Sequence, residues 1–350
     1  MSVLFKNLTA GALHAELATS GVSLRLARRL QAVVLREDAI PDELPEVSTR
    51  LLQHLRTTTQ VPKLELRNRS ESPRDGFVKY VFAGGGGDQM EAVRIPLLHR
   101  TENPKYVVCV SSQIGCAMGC VFCATGRQGL QRNLAAWEIV DQVLQIRRES
   151  PHPVRGVVFM GMGEPLQNYD AVITAAQILS EPCGAAIAAK AITLSTSGIV
   201  PAIRRFTAER HPYRLIISLT SADPHKRAQL MPVERSNPTD ELLSALRDYH
   251  AATGQRITLA WTLMQGINTS EEDARQLAAL TRGLPVQIDL IDVNDPTGRF
   301  SPPTPAELTG FRDALRRHVG APVARRYSGG SDIHAACGML ATALHPQQQS

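Results

Sequence analysis

The stretch "CVSSQIGCAMGCVFCATGRQG", Cys109 to Gly129, holds four of the six cysteines in a 350-residue chain. Cys116, Cys120 and Cys123 form C-x3-C-x2-C, and thiolates are soft ligands suited to iron–sulfur clusters or zinc. Zinc usually takes a fourth Cys or His from paired knuckles, and none follows the triad locally. Three thiolates on a [4Fe–4S] cluster leave the fourth iron open to a substrate or cofactor, and Phe122 beside the last ligand helps keep such a cluster dry. Spacing favours the cluster and leaves zinc, or simply buried thiols, as alternatives. Cys109 is out of register with the triad, and Cys337 sits among small neighbours in "AACGML". A lone cysteine is most often a small buried hydrophobe. "GMGEPL" offers further chemistry. Its glycines permit close backbone approach and Glu164 can take a substrate ammonium, although Gly and Pro commonly just form a turn.

Apolar runs alternating with amphipathic ones must position these residues. "KYVVCVS", "VRGVVFMGM", "AAKAITLSTSG", "YRLIISLTS", "RITLAWTLM" and "VQIDLIDV" read as strands, each followed by a helical pattern, and "VARRYS" reads as a closing strand. Such alternation predicts parallel strands covered by helices. Six units are too few for an eightfold barrel. The expected fold is therefore α/β, a partial parallel (β/α)6 barrel over 104–345 with its chemistry at the C-terminal strand ends. Residues 1–58 carry Leu and Ala at helical spacing, split at Ser20-Gly21 with Ser23 capping the second helix, and "PDELPEVSTRLLQHLR" adds a third. "KLELRNRS", "FVKYVFA" and "QMEAVRIPL", with "AGGGGD" as a turn, predict a small antiparallel sheet over 59–103 that joins this helical module to the barrel. "HPQQQS" reads as a frayed end.

A hydrophobic share of 43% suffices for a large core. The opening "MSVLFKNLTAG" has no signal-peptide core, and no stretch reaches the roughly 20 apolar residues that span a bilayer. A cytoplasmic location is expected, where clustered cysteines more often mean metal or thiol chemistry than a disulfide scaffold. The net charge of +5 permits a polyanionic partner without requiring one. Lys63, Arg67, Arg69, Arg74 and Lys79 fall close together, as do Arg312, Arg316, Arg317, Arg325 and Arg326, and a solvated face accounts for both groups equally well.

C-x3-C-x2-C with an aromatic before the third cysteine resembles the radical S-adenosylmethionine (radical SAM) superfamily. The longer text is narrower. "CVSSQIGCAMGCVFCATGRQGLQRNL", "GMGEPLQNYDAV", "ITLSTSGIVPAI" and "SDIHAACGML" occur in order between about Glu91 and Leu340. They resemble the enzymes that methylate C2 of an adenosine in 23S ribosomal RNA and some transfer RNAs, and their C8-methylating resistance relatives. The resemblance implies a [4Fe–4S] cluster on Cys116, Cys120 and Cys123. It implies S-adenosylmethionine contacts at Gly163, Glu164, Pro165, Ser195, Ser218, Leu219, Thr220 and Asn294; for the hydroxyls, a strand-end or helix cap is the plainer role. Cys337 matches the cysteine that receives a methyl group, Cys109 the thiol that resolves the protein–RNA adduct, and Glu91 a glutamate near the nucleobase. Cys183 matches nothing and reads as structural.

The implied cycle uses two molecules of S-adenosylmethionine. One methylates Cys337, and the other yields the radical that activates this methyl for addition to adenine C2, a carbon too poorly nucleophilic for ordinary transfer. It closes with a Cys109–Cys337 disulfide that must be reduced. A flavodoxin or ferredoxin donor, a structured RNA substrate and a monomeric enzyme are the accompanying expectations. Departures fall at Thr220, where relatives carry His, at "DVND" in place of "PWNP", and at Ser331 and His334 in place of acids. They bear on the target more than on the chemistry. The same reaction at C8, or on a small molecule or peptide in specialised metabolism, is one alternative. A non-catalytic metal-bearing RNA-binding protein is another, in which the paired thiols Cys109 and Cys337 would have little purpose.

Overall fold

The computed structural model describes residues 2–97, 104–295 and 297–341. The terminal "HPQQQS" and the boundaries expected at 103/104 and 345 lie outside the described residues. Seven strands, Tyr106–Cys109, Val154–Phe159, Ile192–Thr196, Arg214–Ser218, Ile257–Leu263, Val286–Asp292 and Val323–Arg326, lie side by side in sequence order and pair in parallel. They are the six expected units and the closing strand. Helices Ala136–Glu149, Tyr169–Ser180, Val200–Glu209, Thr239–Thr253, Glu271–Leu280 and Pro305–His318 connect them. Strands covered in this way bury both faces, which is why six of the seven residues of Ile257–Leu263 are buried. The result is the partial barrel expected from sequence.

Three antiparallel strands, Glu65–Glu71, Val78–Ala83 and Gln89–Pro96, extend the same sheet to ten strands. Gln89–Pro96 pairs with Tyr106–Cys109 and sets Val93 opposite Cys109. The piece that sequence presents as a joining sheet is thus hydrogen-bonded into the barrel. It satisfies backbone groups that the first parallel strand would otherwise leave open at an edge.

The N-terminal helices Ala10–Leu17, Leu24–Glu37 and Thr49–Thr58 begin at Thr9, Ser23 and Ser48, whose hydroxyls accept from Ala12, Leu26 and Leu51 N–H. Phe5, Leu13, Leu30, Val34, Leu52 and Leu55 give them a core of their own. Lys6 fastens this core to the barrel. Its fully buried ammonium pairs with Asp38 and, at 2.6 Å, with Asp141 of helix Ala136–Glu149. Among the described residues no helix is long and apolar enough to cross a membrane.

Candidate active site

An antiparallel ribbon, Gln113–Cys116 with Gly129–Asn133, brackets the cysteine loop, an element that sequence leaves inside a loop. Cys116 ends its first strand, Cys120 lies in the following turn, and Cys123 starts the short helix Ala124–Arg127. All three reach one pocket of about 180 Å³ at the C-terminal strand ends. Gly163, Glu164, Ser195, Ser218, Asn294 and Cys337 line the same pocket, so residues far apart in sequence converge. Met118, Phe122, Met231 and Val293 make its walls apolar. A larger groove of about 730 Å³, with Arg256, Arg282 and Pro322 on its walls, lies at the opposite strand ends and holds none of these residues.

Burial pushes the Cys116 thiol up to about 12 and the Cys120 thiol higher still, and neighbouring sulfurs add to both shifts. Free thiols here keep their protons, and a soft cation is what would convert them to thiolates. Among the described residues no three His, Cys, Asp or Glu converge on a single ion. A four-iron cluster does not ask for that, because it takes one thiolate per iron. Three sulfurs facing one dry pocket therefore fit the cluster. Arg227, which sequence analysis passes over, is fully buried behind them. It pairs with Glu234, donates to Ser197 O at 2.7 Å and to Leu219 O at 3.2 Å, and its charge opposes the rise at Cys120. Nothing in "PHKRAQL" distinguishes it from a solvated helix arginine.

The Glu164 turn is strapped to the ribbon: Glu164 N donates to Gln113 Oε1 at 2.8 Å. Gly163 has φ +102°, and a Cβ there would come within 2.6 Å of Gln113 Cβ and 2.9 Å of its backbone nitrogen. Only glycine fits. Glu164 Oε1 accepts from Leu166 N at 2.9 Å, while Oε2 accepts from Ser197 N at 2.7 Å and Ser197 Oγ at 2.9 Å. Burial pushes its pKa up and these bonds pull the other way. The Thr196 hydroxyl adds to these bonds, and the carboxyl lies on the pocket wall, where its charge faces any cationic ligand. Ser195 Oγ and Ser218 Oγ lie 3.5 Å apart on the pocket wall. Pro165, Leu219 and Thr220 are buried but off that wall. Thr220 takes φ +63°, unusual for a β-branched residue, and its buried hydroxyl finds no partner among the described residues.

Cys337 is an exposed residue on the pocket wall. Its N–H donates to Ser328 Oγ at 3.0 Å, and Asn294 Nδ2 donates to the same oxygen at 3.0 Å. Burial raises the Cys337 thiol and the Ser328 hydroxyl lowers it. The surrounding segment is gripped from two sides. Ala124 N, beside Cys123, donates to Gly338 O at 2.7 Å, and Ala341 N donates to Glu91 Oε2 at 2.9 Å. Glu91 does not reach the pocket wall; it is buried against Lys79 at 3.3 Å, and burial raises its pKa. Cys109 also lies behind the wall, packed with Phe77, Val93, Met162, Ala335 and Leu340. Burial raises its pKa strongly, and Cys337 is near enough to raise it further. Both thiols are free, so the disulfide implied by resemblance is not formed here. Cys183 is remote from the pocket and donates to Gln31 Oε1 at 3.4 Å, between the helical module and the barrel.

A partial barrel with a cysteine triad and a Gly-Glu-Pro turn at its strand ends defines a radical SAM enzyme, and the radical SAM superfamily matches residues 110–278. A probable RNA methyltransferase of Myxococcus xanthus is 49% identical over 340 residues, 96% of this chain and 93% of that protein. A dual-specificity RNA methyltransferase RlmN of Syntrophobacter fumaroxidans is 42% identical over 275 residues, 78% of each chain. The crystal structure of a radical SAM methyltransferase from Sphaerobacter thermophilus superposes with a TM-score of 0.87 at 36% identity, covering 97% of this chain and 99% of that one. The chain belongs to the radical SAM RNA methyltransferase family. Membership brings with it a [4Fe–4S] cluster and S-adenosylmethionine.

Proposed function

We propose that this enzyme methylates C2 of an adenosine in 23S ribosomal RNA, and in transfer RNA as a second substrate, through a methyl group carried on Cys337. The observation that carries the reading is the presence of Cys337 on the wall shared by Cys116, Cys120, Cys123 and Glu164. A merely structural cysteine has no reason to open onto a cofactor pocket. Held by Cys116, Cys120 and Cys123, the cluster with two molecules of S-adenosylmethionine per turnover supplies a methyl group and a hydrogen-abstracting radical.

The chain's own residues do the rest. Glu164 turns its carboxyl charge toward the cofactor's ammonium, with Ser195, Ser218 and Asn294 as further wall contacts; Gly163 and Pro165 shape the turn, and Leu219 and Thr220 back the wall. Cys337 is the nucleophile that takes the methyl, with Ser328 orienting it. Glu91, buried behind the wall and paired with Lys79, stands near the nucleobase and holds the Cys337 segment through Ala341. Cys109, having lost its proton, then attacks the Cys337 sulfur: the S–S bond forms, the bond from sulfur to the transferred carbon breaks, and that carbon leaves with the electron pair and takes up a proton to become the methyl group of the released base. The target base has to be unstacked to reach the pocket.

In this reading the helical module 1–58 and the strands of 59–103 are accessories to a barrel domain over 104–345. The enzyme works as a cytoplasmic monomer with a flavodoxin or ferredoxin donor. Nucleoside mass spectrometry of ribosomal and transfer RNA, from cells with and without the gene, tests the target. 2-Methyladenosine should disappear with the gene; loss of 8-methyladenosine, or no change in RNA, overturns it.

A further inference from the structure

Tyr327 is 66% exposed, the most exposed large hydrophobic side chain among the described residues. Its ring is nevertheless pinned. Its hydroxyl donates to Asp75 Oδ2 at 2.9 Å, and its ring meets Phe77 edge-on, with centroids 6.1 Å apart and planes at 73°. The same Asp75 oxygen accepts from Gly330 N at 2.9 Å. Between them, a Cβ on Gly329 would lie 2.7 Å from the Tyr327 ring and 2.5 Å from both Asp75 and Phe77, so the chain is bare where the ring packs against it. The next residue, Ser328, holds the Cys337 N–H. Arg74, well exposed, adds a cation whose charge is felt at Tyr327 and whose acidic contact, Asp332, is 3.9 Å away. An aromatic ring fixed at its edge and tip, open on a face, and one residue from the anchor of the methyl carrier is built to receive a flat partner. A clasp for the C-terminal segment would use the hydroxyl and leave no reason to expose the ring.

We propose that the open face of Tyr327 is a stacking platform for an unpaired RNA base beside the target adenosine, with Arg74 on a neighbouring phosphate. The proposal rests on the RNA reading above and deepens it. A base pulled from its stack loses stacking partners, and an aromatic face restores one without reading sequence.

The test uses reconstituted holoenzyme and a protein-free ribosomal RNA fragment with an adenosine in an unpaired loop. Tyr327→Ala should bind it about 5- to 100-fold more weakly, appearing in KM rather than kcat. Tyr327→Phe and Tyr327→Trp should bind within about twofold of the parent, because the ring face survives. Tyr327→Leu still covers Phe77 and should lose the same affinity as the Ala variant, which guards against a variant that fails to fold. Arg74→Gln should flatten the salt dependence by about one phosphate contact. Unchanged affinity in Tyr327→Ala and Tyr327→Leu overturns the platform. So does a Phe variant as weak as Ala, which would assign the role to the hydroxyl clasp, or a defect confined to reduction by a protein electron donor. If the parent methylates Cys337 but neither binds nor methylates RNA, the RNA reading falls and the platform with it. If the parent methylates RNA and the Ala variant does so with the same KM, only the platform falls.

Discussion

The backbone N–H of Cys337 donates to the Ser328 hydroxyl at 3.0 Å, and Asn294 Nδ2 fills that oxygen's other acceptor direction. A hydroxyl has two acceptor positions and one hydrogen, so the hydrogen is left to donate to the Cys337 sulfur. Donation to sulfur favours the thiolate, against the upward push of burial. Ser328→Ala should therefore move Cys337 alkylation to higher pH and slow its methylation about 3- to 10-fold at neutral pH. Ser328→Thr should restore both. Peptide-level mass spectrometry after timed alkylation reads the shift, and superimposable pH profiles for parent and Ala variant would refute the role.

Cys109 and Cys337 should fail in different ways. Cys337→Ala should give no covalent RNA adduct while retaining the cluster. Cys109→Ala should form the adduct and hold it, because no thiol remains to attack the Cys337 sulfur. Intact mass spectrometry after turnover separates the two, and normal product release by Cys109→Ala would show that Cys109 is not the resolving thiol.

Changing Cys116, Cys120 or Cys123 to Ala should remove visible iron–sulfur absorbance, from about four irons per parent chain, because each thiolate serves its own iron. Stoichiometric zinc in active parent protein would contradict the assignment.

Gly163→Ala should displace the Glu164 turn, since the new methyl meets the Gln113 backbone rather than a flexible tip and the φ of +102° is strained for Ala. Affinity for S-adenosylmethionine, measured by calorimetry on reconstituted protein, should fall at least tenfold, on the order of 1.4 kcal/mol.

Lys6→Ala should leave Asp141 as a buried carboxylate without its cation, while Asp38 keeps Lys63 and Arg148. Removing one partner of a buried pair costs about 3–5 kcal/mol, to be read as a lower denaturation midpoint. An unchanged midpoint would mean that the helical module is held chiefly by apolar contact.

Local chemistry and periodicity made the thiol triad, the Glu164 turn, the helix cap at Ser23 and the order of parallel strands legible in one dimension. Each depends on residues within a turn or two of one another, and the alternation of strand and helix admits few arrangements. Two things remained for the tertiary structure to decide. One was how Gln89–Pro96 completes the barrel edge, because strand pairing runs through backbone groups that every residue shares. The other was which distant side chains meet: Ser197 on Glu164, Arg227 behind Cys120, Ser328 under Cys337, and Asp75 on Tyr327. Serine, arginine and aspartate at such positions look like any solvated polar residue in sequence. Their roles come from burial and from a partner supplied by another strand end, and neither leaves a mark on the neighbouring residues.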